Sequence, residues 1–390
     1  MKSKKKLKQL IKMKKKKVCI LISAQHPFDV RIFHREAKSL VKKGYLVTII
    51  AQQNINDIVD KIKIVGIGKP KNRIIRFFKT FKLFKMALKL KSDIYHIHNP
   101  ELLFWGIMLK LLTTKPVIYD VHEHFPDAVE IRYWIPKLIR KPIKVFLNIY
   151  ENILARFVSY IITADEETAK KFRNVKNIIT LFNFPKLNYF CVSENNDKKK
   201  NLIIYVGTIG EDRGGDLMIE SIKIVKEKID DIKLLIFGKI HNLNYKKHLE
   251  RKIIEYNLGQ NVKIFDPIPQ EEIISFIKKA TIGFSLLQDV PKYNKNIPQK
   301  VFEYMACGIP VVSSNSKSIR PFILESRCGI LVDPNNISEI SNAILFLIEN
   351  PEQGKEMGRK GRRAILEKYN WEKESEKLIN LYGELLKSNH

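Results

Sequence analysis

The segment from Pro298 to Val312, P-Q-K-V-F-E-Y-M-A-C-G-I-P-V-V, most constrains what this chain can fold into. Its first apolar residues recur at helical spacing, Gly308 and Pro310 end the helix, and a β-branched run begins at Val311. The pattern predicts a helix, a tight turn and a buried strand. Such a unit is typical of a parallel α/β sheet, in which ligands bind beyond the carboxyl ends of the strands.

The start of this helix and one of its carboxylates are candidate binding features. Pro298 stands at the helix N-terminus, where free N–H groups and the positive end of the dipole favour an anion. Glu303 lies in an otherwise apolar turn, where an unpaired charge is costly unless a partner or a ligand satisfies it. The alternative is a solvated glutamate on the outer face of the helix.

The motif P-x-K-x-F-E-Y-M-A-x-G-x-P-V-V resembles the nucleotide-sugar-binding segment of family 4 glycosyltransferases, which are retaining enzymes with the two-domain GT-B fold. The resemblance implies that Glu303 accepts hydrogen bonds from the ribose hydroxyls, and that Pro298, Lys300 and Gly308 belong to the donor-binding segment. The earlier glutamate of the family pattern falls at Lys295, which departs from it. A branch of the family with P-x-K-x-F-E-Y-M-A is similar to this chain.

Length and charge indicate two domains and an anionic partner. A chain of 390 residues with 45% hydrophobic residues is long for one core and sufficient for two. Lys and Arg total 70 against 41 Asp and Glu, a net charge of +29, which predicts attraction to a membrane surface, nucleic acid or a phosphorylated substrate. Because lysines occur in nearly every segment, compositional drift is the alternative. The four cysteines lack C-x-x-C spacing, so no zinc site or disulfide framework is predicted, and a reducing cytosol fits.

Two basic segments could contact lipid. Residues 1–17 are predicted to form a disordered basic arm, which is either held near anionic lipid or simply solvated. Residues 73–91 alternate apolar and basic side chains and predict an amphipathic helix. Such a helix either lies in a membrane interface or covers a sheet, and its aromatic content favours the membrane. We therefore expect a cytoplasmic protein that is peripheral on the inner face of the plasma membrane, because no apolar run is long enough to span a bilayer.

The first strands predict a parallel sheet without a dinucleotide fingerprint. Val18–Ser23 and Tyr45–Ala51 are predicted strands joined by a helix over Arg35–Lys43, and the loop between lacks the fingerprint glycines. That loop, with D-x-R-I, resembles the first loop of one glycosyltransferase branch. The resemblance implies that Asp29 and Arg31 face the cleft between domains; a loop ion pair is the alternative.

Two further strands end in histidines. D-I-Y-H-I-H at 93–98 and P-V-I-Y-D-V-H at 116–122 would open onto the same cleft, which places His98 there. Alternate residues on a strand are weak support for a metal pair, so His96 and His98 are interpreted as structural. The run Y-D-V-H-E-H-F-P-D resembles the segment that carries a histidine near the donor sugar in this family. That resemblance makes His122 the candidate catalytic histidine, with Glu123 and His124 beside it.

A second sheet begins after a polar linker. Periodicity is lost over 183–201, Leu202–Val206 is a predicted strand, and G-T-I-G-E-D-R-G-G-D follows as a turn that could bind phosphate. Its position resembles the diphosphate loop of the family, so Gly207 and Arg213 would contact the diphosphate, with help from Lys300. The predicted domains are 1–17, an arm; 18–185, the acceptor side; 186–370, nucleotide-sugar binding; and 371–390, a helix crossing back.

The fold class implied is α/β, a GT-B fold with two Rossmann-like doubly wound parallel-sheet domains facing across a cleft. The activity implied is transfer of a sugar from a nucleoside diphosphate sugar to an acceptor glycan or lipid-linked glycan with retention, without metal or cofactor, in surface polysaccharide or glycolipid biosynthesis. The alternative is an epimerase or hydrolase of the same fold that acts on the donor alone. Nucleic-acid binding is disfavoured, because no helix-turn-helix, zinc or stacking motif accompanies the charge.

Overall fold

The computed structural model describes residues 15–122, 124–129, 135–190, 200–290, 293 and 295–387. The chain divides into two compact units. Unit 1 comprises Met1–Phe182 and Glu374–His390, and unit 2 comprises Asn183–Lys373. Each unit has its own sheet and its own hydrophobic core. Most of the expected basic arm, and Glu123, lie outside the described residues, whereas Lys17, assigned to the arm from sequence, already belongs to the first strand.

Unit 1 contains an eight-stranded sheet with the order β3-β4-β2-β1-β5-β6-β7-β8. Every strand pair is parallel except β3 with β4. The strands are β1 Lys17–Ile22, β2 Leu46–Ala51, β3 Asn56–Val59, β4 Ile62–Gly66, β5 Ile94–Ile97, β6 Val117–Val121, β7 Tyr160–Thr163 and β8 Ile178–Thr180. The central strands β1, β5 and β6 are buried along nearly their whole length, as is typical of a parallel sheet covered on both faces, although β5 contains His96 and β6 contains Asp120.

Helices connect the strands of unit 1. They are α1 Val30–Ala37, which is wound as a π-helix, α2 Lys38–Lys42, α3 Arg73–Leu90, α4 Leu103–Thr113, α5 Phe125–Ala128, α6 Lys137–Leu154 and α7 Glu166–Lys171. The last helix, α15 Trp371–Lys387, begins in unit 2, and from Glu374 onward it belongs to unit 1. There the Tyr382 hydroxyl lies 2.8 Å from His96 Nδ1 on β5.

Unit 2 contains a six-stranded parallel sheet with the order β11-β10-β9-β12-β13-β14. The strands are β9 Leu202–Val206, β10 Lys233–Phe237, β11 Val262–Phe265, β12 Ile282–Ser285, β13 Val311–Ser314 and β14 Gly329–Val332. The helices are α8 Gly215–Lys226, α9 Leu243–Glu255, α10 Gln270–Lys279, α11 Gln299–Ala306, α12 Arg320–Ser326, α13 Ile337–Glu349 and α14 Pro351–Glu367. The predicted unit of helix, turn and strand is therefore confirmed as α11, the Gly308 turn and β13.

Several elements of unit 1 were not predicted from the sequence, among them the β3–β4 hairpin and the helices α4 and α7. Helix α6 begins at Lys137, whereas the sequence pattern predicts helix only over Tyr150–Phe157. The helix predicted over 73–91 is confirmed as α3, but its apolar side chains are divided between a buried side and an exposed side. No helix in the described parts of the chain combines the length and the hydropathy needed to cross a membrane.

Helix α14 packs closely against the turn that ends α11. A Cβ atom added at Gly358 would lie 2.2 Å from the carbonyl oxygen of Gly308, which itself has a φ of 68°. The backbone of α14 therefore reaches the turn only because residue 358 has no side chain.

We predict that Gly358→Ala lowers the free energy of unfolding by about 1–3 kcal/mol, because the methyl group forces apart two backbone segments that cannot yield independently. Gly383→Ala is the matched control, since it lies in α15 with no atom within 4 Å of the added Cβ. It should raise stability by about 0.5–1 kcal/mol through helix propensity. Urea unfolding measures the free energy of unfolding of both variants. Equal changes in the two variants would contradict the close approach of α14 to the Gly308 turn.

Candidate functional site

The turn after β9 is the centre of the candidate site in unit 2. Gly207 follows the last residue of the strand with a φ of 129°, a conformation that side chains rarely adopt. A Cβ atom at this position would lie 3.3 Å from Lys300 Nζ. The ammonium of Lys300, in the first turn of α11, thus lies directly beside the backbone of the predicted phosphate-binding turn.

Lys300 is a buried cation without a hydrogen-bond acceptor among the described residues. Its side chain is 9% exposed, and Nζ makes no hydrogen bond. The ammonium lies 3.6 Å from the centroid of the Tyr205 ring, which gives cation–π stabilisation. Burial and the neighbouring Arg213 lower the pKa of Lys300 well below its ordinary value, and Glu303 acts in the opposite direction. The site therefore favours an anion, which would stabilise the charged form of Lys300.

Arg213 is held by two tyrosines that sequence reasoning missed. Its guanidinium carbon lies 5.4 Å from the centroid of the Tyr293 ring, and the guanidinium is within hydrogen-bond reach of the Tyr205 hydroxyl. Tyr293 donates a hydrogen bond of 2.6 Å to Asp212 Oδ2, and Tyr205 donates one of 2.7 Å to the carbonyl of Thr208. Burial raises the pKa of Tyr205 to about 12, so it is a neutral donor. The result is an ordered pair of cations, Arg213 and Lys300, beside one turn.

The other predicted donor-binding residues lie on or near α11. Pro298 is its N-cap residue, Glu303 is half-buried within it, and Gly308 follows the C-cap in a left-handed conformation. Lys295 lies three residues before Pro298 and is half-buried. The structure thus gathers Gly207, Arg213, Lys300 and Glu303, and places Pro298 and Lys295 at the approach to the same helix.

Unit 1 contains a buried ionic cluster around Arg31. The guanidinium donates from Nη2 to both oxygens of Asp120 at 3.1 Å, and from Nη1 to the carbonyl of Leu181 at 2.8 Å. Its Nε lies 3.0 Å from Glu36 Oε1. Arg31 therefore makes ion pairs with Asp120 and Glu36, whereas Asp29 Oδ1 accepts from the backbone N–H groups of Arg31 and Ile32 at the start of α1.

The two carboxylates of the cluster titrate in opposite directions. Burial alone would raise the pKa of Asp120, but Arg31 and His122 hold it well below its ordinary value. Burial and the charge of Asp120 raise the pKa of Glu36 well above its ordinary value. Arg31 thus stabilises the charged form of Asp120, whereas burial and the charge of Asp120 disfavour the charged form of Glu36.

Three histidines connect this cluster to the surface. His98 Nδ1 lies 2.8 Å from His122 Nε2, and the Nε2 atoms of His96 and His98 are buried without hydrogen-bond partners. Burial lowers the pKa of His98 well below its ordinary value and that of His122 to about 4, so both rings are neutral at pH 7. When both rings are neutral, one of the two facing nitrogens carries a proton and the other accepts it. The nitrogen that is protonated on His98 therefore determines which nitrogen of His122 is protonated.

Possible metal ligands are also present in this cluster. Candidate ligand atoms of Glu36, His96, His98 and Asp120 all lie within 4.8 Å of one another. Arg31 already provides a positive charge beside both carboxylates, and that charge disfavours a second cation. Of the predicted catalytic residues, His122 is 15% exposed at the edge of the cluster, and Glu123 lies outside the described residues.

The comparisons with known proteins agree with this architecture. The protein-family model described as "Glycosyltransferase Family 4" matches residues 30–180. The protein-family model described as "Glycosyl transferases group 1" matches residues 192–364. An uncharacterized glycosyltransferase of Methanocaldococcus jannaschii is 27% identical over 49% of this chain and 50% of its own length, so this chain spans only half of that relative. The capsular polysaccharide biosynthesis glycosyltransferase CapM of Staphylococcus aureus is 24% identical over 96% of this chain and 99% of its own.

Solved structures share the fold. Anabaena HepE in complex with UDP superposes with a TM-score of 0.70 at 13% identity, covering 95% of this chain and all of that one. Two parallel-sheet α/β units with such neighbours have the GT-B fold, which confirms the predicted fold class. The two family models match consecutive parts of the chain, and both describe glycosyltransferases.

The buried histidines should make unit 1 less stable below neutral pH. A histidine whose pKa is lowered from about 6.5 is neutral when folded, so the unfolded chain takes up protons first as the pH falls. We expect stability to be complete above pH ~6.5 and to fall toward pH 4, with a slope of up to about 1.4 kcal/mol per pH unit for each histidine. Hydrogen exchange of peptides from β5 and β6 measures this change.

The matched variants are His122→Gln and His241→Gln. The first removes a buried titrating ring and should flatten the pH dependence, whereas His241 is exposed in unit 2 and its replacement should change nothing. An unaltered slope in His122→Gln would contradict the assignment of that slope to His122. The raised pKa of Glu36 has the opposite effect on stability. The stabilisation that it contributes is fully present at low pH and is lost as the pH rises.

Proposed function

We propose that this protein transfers a sugar from a nucleoside diphosphate sugar to an acceptor hydroxyl, and that unit 2 binds the donor. The observation that carries the proposal is the buried ammonium of Lys300, which lacks a hydrogen-bond acceptor and lies beside Arg213 and the Gly207 turn. A buried cation is costly without an anion, and a diphosphate supplies two adjacent charges. The binding of UDP by HepE supports this choice of ligand.

The proposed contacts of the donor combine the motif resemblance with the position of each group. Arg213 and Lys300 bind the diphosphate, and the backbone N–H groups at the start of α11 lie near the same anion. Glu303, one turn further along α11, accepts hydrogen bonds from the ribose hydroxyls. Lys295, at the position of the usual first glutamate of the family pattern, lies on the donor-sugar side.

The chemical step that we propose depends on charge stabilisation. As the bond between the sugar and the diphosphate breaks, negative charge grows on the departing oxygen, and Arg213 and Lys300 stabilise it. These two cations do the work that a metal would otherwise do, so we propose a metal-independent reaction without a cofactor. Retention of anomeric configuration is proposed from the motif resemblance, and NMR of the product anomer tests it.

Unit 1 provides the acceptor side in this proposal. His122 presents a neutral ring at the surface of the cluster, where it can hydrogen-bond a sugar hydroxyl without adding charge. Asp29, Arg31 and His98 fix the surrounding structure, and Glu123 is proposed to act beside His122. The acceptor is a glycan or lipid-linked glycan in surface polysaccharide or glycolipid biosynthesis, which the relationship to CapM supports. The reported relatives do not favour the donor-only epimerase or hydrolase.

The first test removes the charge of Lys300. Lys300→Met keeps the apolar stem over Tyr205 and should weaken nucleoside diphosphate binding by roughly 10- to 100-fold, the value of a charged hydrogen bond of about 1.5–3 kcal/mol. Isothermal titration with UDP and with GDP provides the measurement. The control Lys263→Met replaces an exposed lysine of β11 and should bind as the unmodified protein does. Equal affinities in all three proteins would refute the donor site.

The second test separates the ribose contact from the diphosphate contact. Glu303→Gln should weaken binding of the preferred nucleoside diphosphate by about tenfold, since it replaces a charged acceptor by a neutral one. Inorganic pyrophosphate has no ribose, so its affinity should not fall. A parallel loss for both ligands would show that Glu303 shapes the anion site and does not contact the ribose.

A further inference from the structure

Helix α6 is an amphipathic helix whose apolar side faces outward. Of its 18 residues only Glu151 is fully buried. Large apolar side chains recur at helical spacing along the solvent side, and they are Leu138, Val145, Phe146, Ile149 and Ile153, with exposed fractions of 92%, 57%, 63%, 53% and 50%. A helix covering a sheet normally buries such a stripe. Here the stripe is left without a partner among the described residues.

Two neighbouring helices continue this apolar surface. Helix α3 exposes Phe77 and Phe78, and α4 exposes Phe104 and Leu111. Trp105 of α4 joins these helices, since its ring centroid lies 5.2 Å from that of Phe81 and its Nε1 donates to Thr80 on α3. Helix α6 packs against α4, where Tyr150 is within hydrogen-bond reach of the Phe104 backbone. We call the exposed sides of α3, α4 and α6 the three-helix surface.

The charge on the three-helix surface is of one sign. Helices α3 and α4 contain no acidic residue, and the single carboxylate of α6, Glu151, is buried and paired with Lys171. Basic residues border the apolar stripes, and they include Arg73, Lys82, Lys85, Lys137, Arg140 and Lys141. A large exposed apolar patch marks an interaction site, and its uniformly basic border selects an anionic partner.

We propose that the three-helix surface binds an anionic lipid surface, with α6 and α3 lying in the interface. The exposed aromatic and aliphatic groups enter the boundary between headgroups and acyl chains, while the basic residues contact the headgroups. A second copy of this chain is a poorer occupant, because a two-fold contact would bring the same basic borders together. From the sequence this role was expected for the basic arm and for the helix over 73–91, and the exposed apolar residues of α4 and α6 enlarge the surface around that helix.

The orientation of these helices links the surface to the reaction. Each of α3, α4 and α6 follows the carboxyl end of a parallel strand, so their N-terminal ends lie at the edge of the sheet where His122 follows β6. A protein lying on lipid through this surface brings that edge near the headgroups. This part of the inference depends on the proposed function, and it specifies that the acceptor is carried by a lipid.

The test measures co-sedimentation of the full chain with vesicles. Vesicles of phosphatidylcholine alone are compared with vesicles that also contain phosphatidylglycerol, at low and at high salt. We expect binding to the anionic vesicles that salt abolishes, and little binding to the neutral ones. Lys137→Gln with Lys141→Gln should weaken it about 25-fold, since each basic residue contributes about fivefold. The control pair is Lys246→Gln with Lys247→Gln on α9.

A second pair of variants tests the apolar contact. Phe146→Ser with Ile149→Ser should reduce binding at all salt concentrations, whereas Leu243→Ser with Ile254→Ser, equally exposed in unit 2, should not. Failure of the unmodified chain to bind anionic vesicles at low salt would overturn the proposal. The proposal would also be overturned by equal losses of vesicle binding in the variant pair and the control pair, or by a dimer in solution that Phe146→Ser dissociates. Nucleotide titration without vesicles reports separately on the donor site.

Discussion

The ion pair between Arg31 and Asp120 is the interaction on which unit 1 depends. It joins helix α1 to strand β6, and the same guanidinium binds the carbonyl of Leu181 just beyond β8. Removing either partner would leave a buried charge uncompensated, which typically costs about 3–5 kcal/mol. The histidines of β5 are ordered around Asp120, and His96 in turn contacts Tyr382 of the last helix. One arginine therefore sets the positions of residues from four separate parts of the sequence.

The buried positive charges of the two units have different neighbours. In unit 1 the positive charge of Arg31 has the carboxylates of Asp120 and Glu36 beside it. In unit 2 the ammonium of Lys300 has an aromatic ring and a second cation as neighbours. The charge of Arg31 is therefore compensated by hydrogen-bonded groups of the protein, whereas Lys300 has no hydrogen-bond acceptor in the described part of the chain. A bound anion would provide the compensation that Lys300 lacks.

The sequence predicted the parallel strands and α11 well because their signals are local. Continuous apolar runs, a glycine at φ > 0 and a proline after a helix each act within a few residues, so Gly308 and β13 could be located directly. The start of α6 could not be located, because Pro142 lies inside the helix and a proline normally ends or kinks one. Glu36, Tyr205 and Tyr293 were missed for a different reason, since their roles depend on contacts between distant segments.

The arrangement of Arg31 and Lys300 illustrates the same limit. Asp29 and Arg31 are neighbours in sequence, which suggested an ion pair, yet the guanidinium pairs with Asp120 across 89 positions of chain. The loop after β9 contains one basic residue, Arg213, whereas the family that this chain resembles usually has a pair of basic residues there. The structure places Lys300, from another helix, next to that loop. Help from Lys300 was expected from the motif resemblance, but sequence spacing alone cannot show that the fold brings the two residues together.

Unit 1 is composed of the first and the last parts of the chain, and unit 2 is inserted between them. During synthesis from the N-terminus, the strands of unit 1 leave the ribosome before unit 2, but the side chain of Tyr382 that contacts His96 appears only after unit 2. Unit 2 is contiguous, and its strands precede that point. The domain that is begun first therefore becomes complete only after the inserted domain has been made, when the residues from Glu374 onward dock onto it.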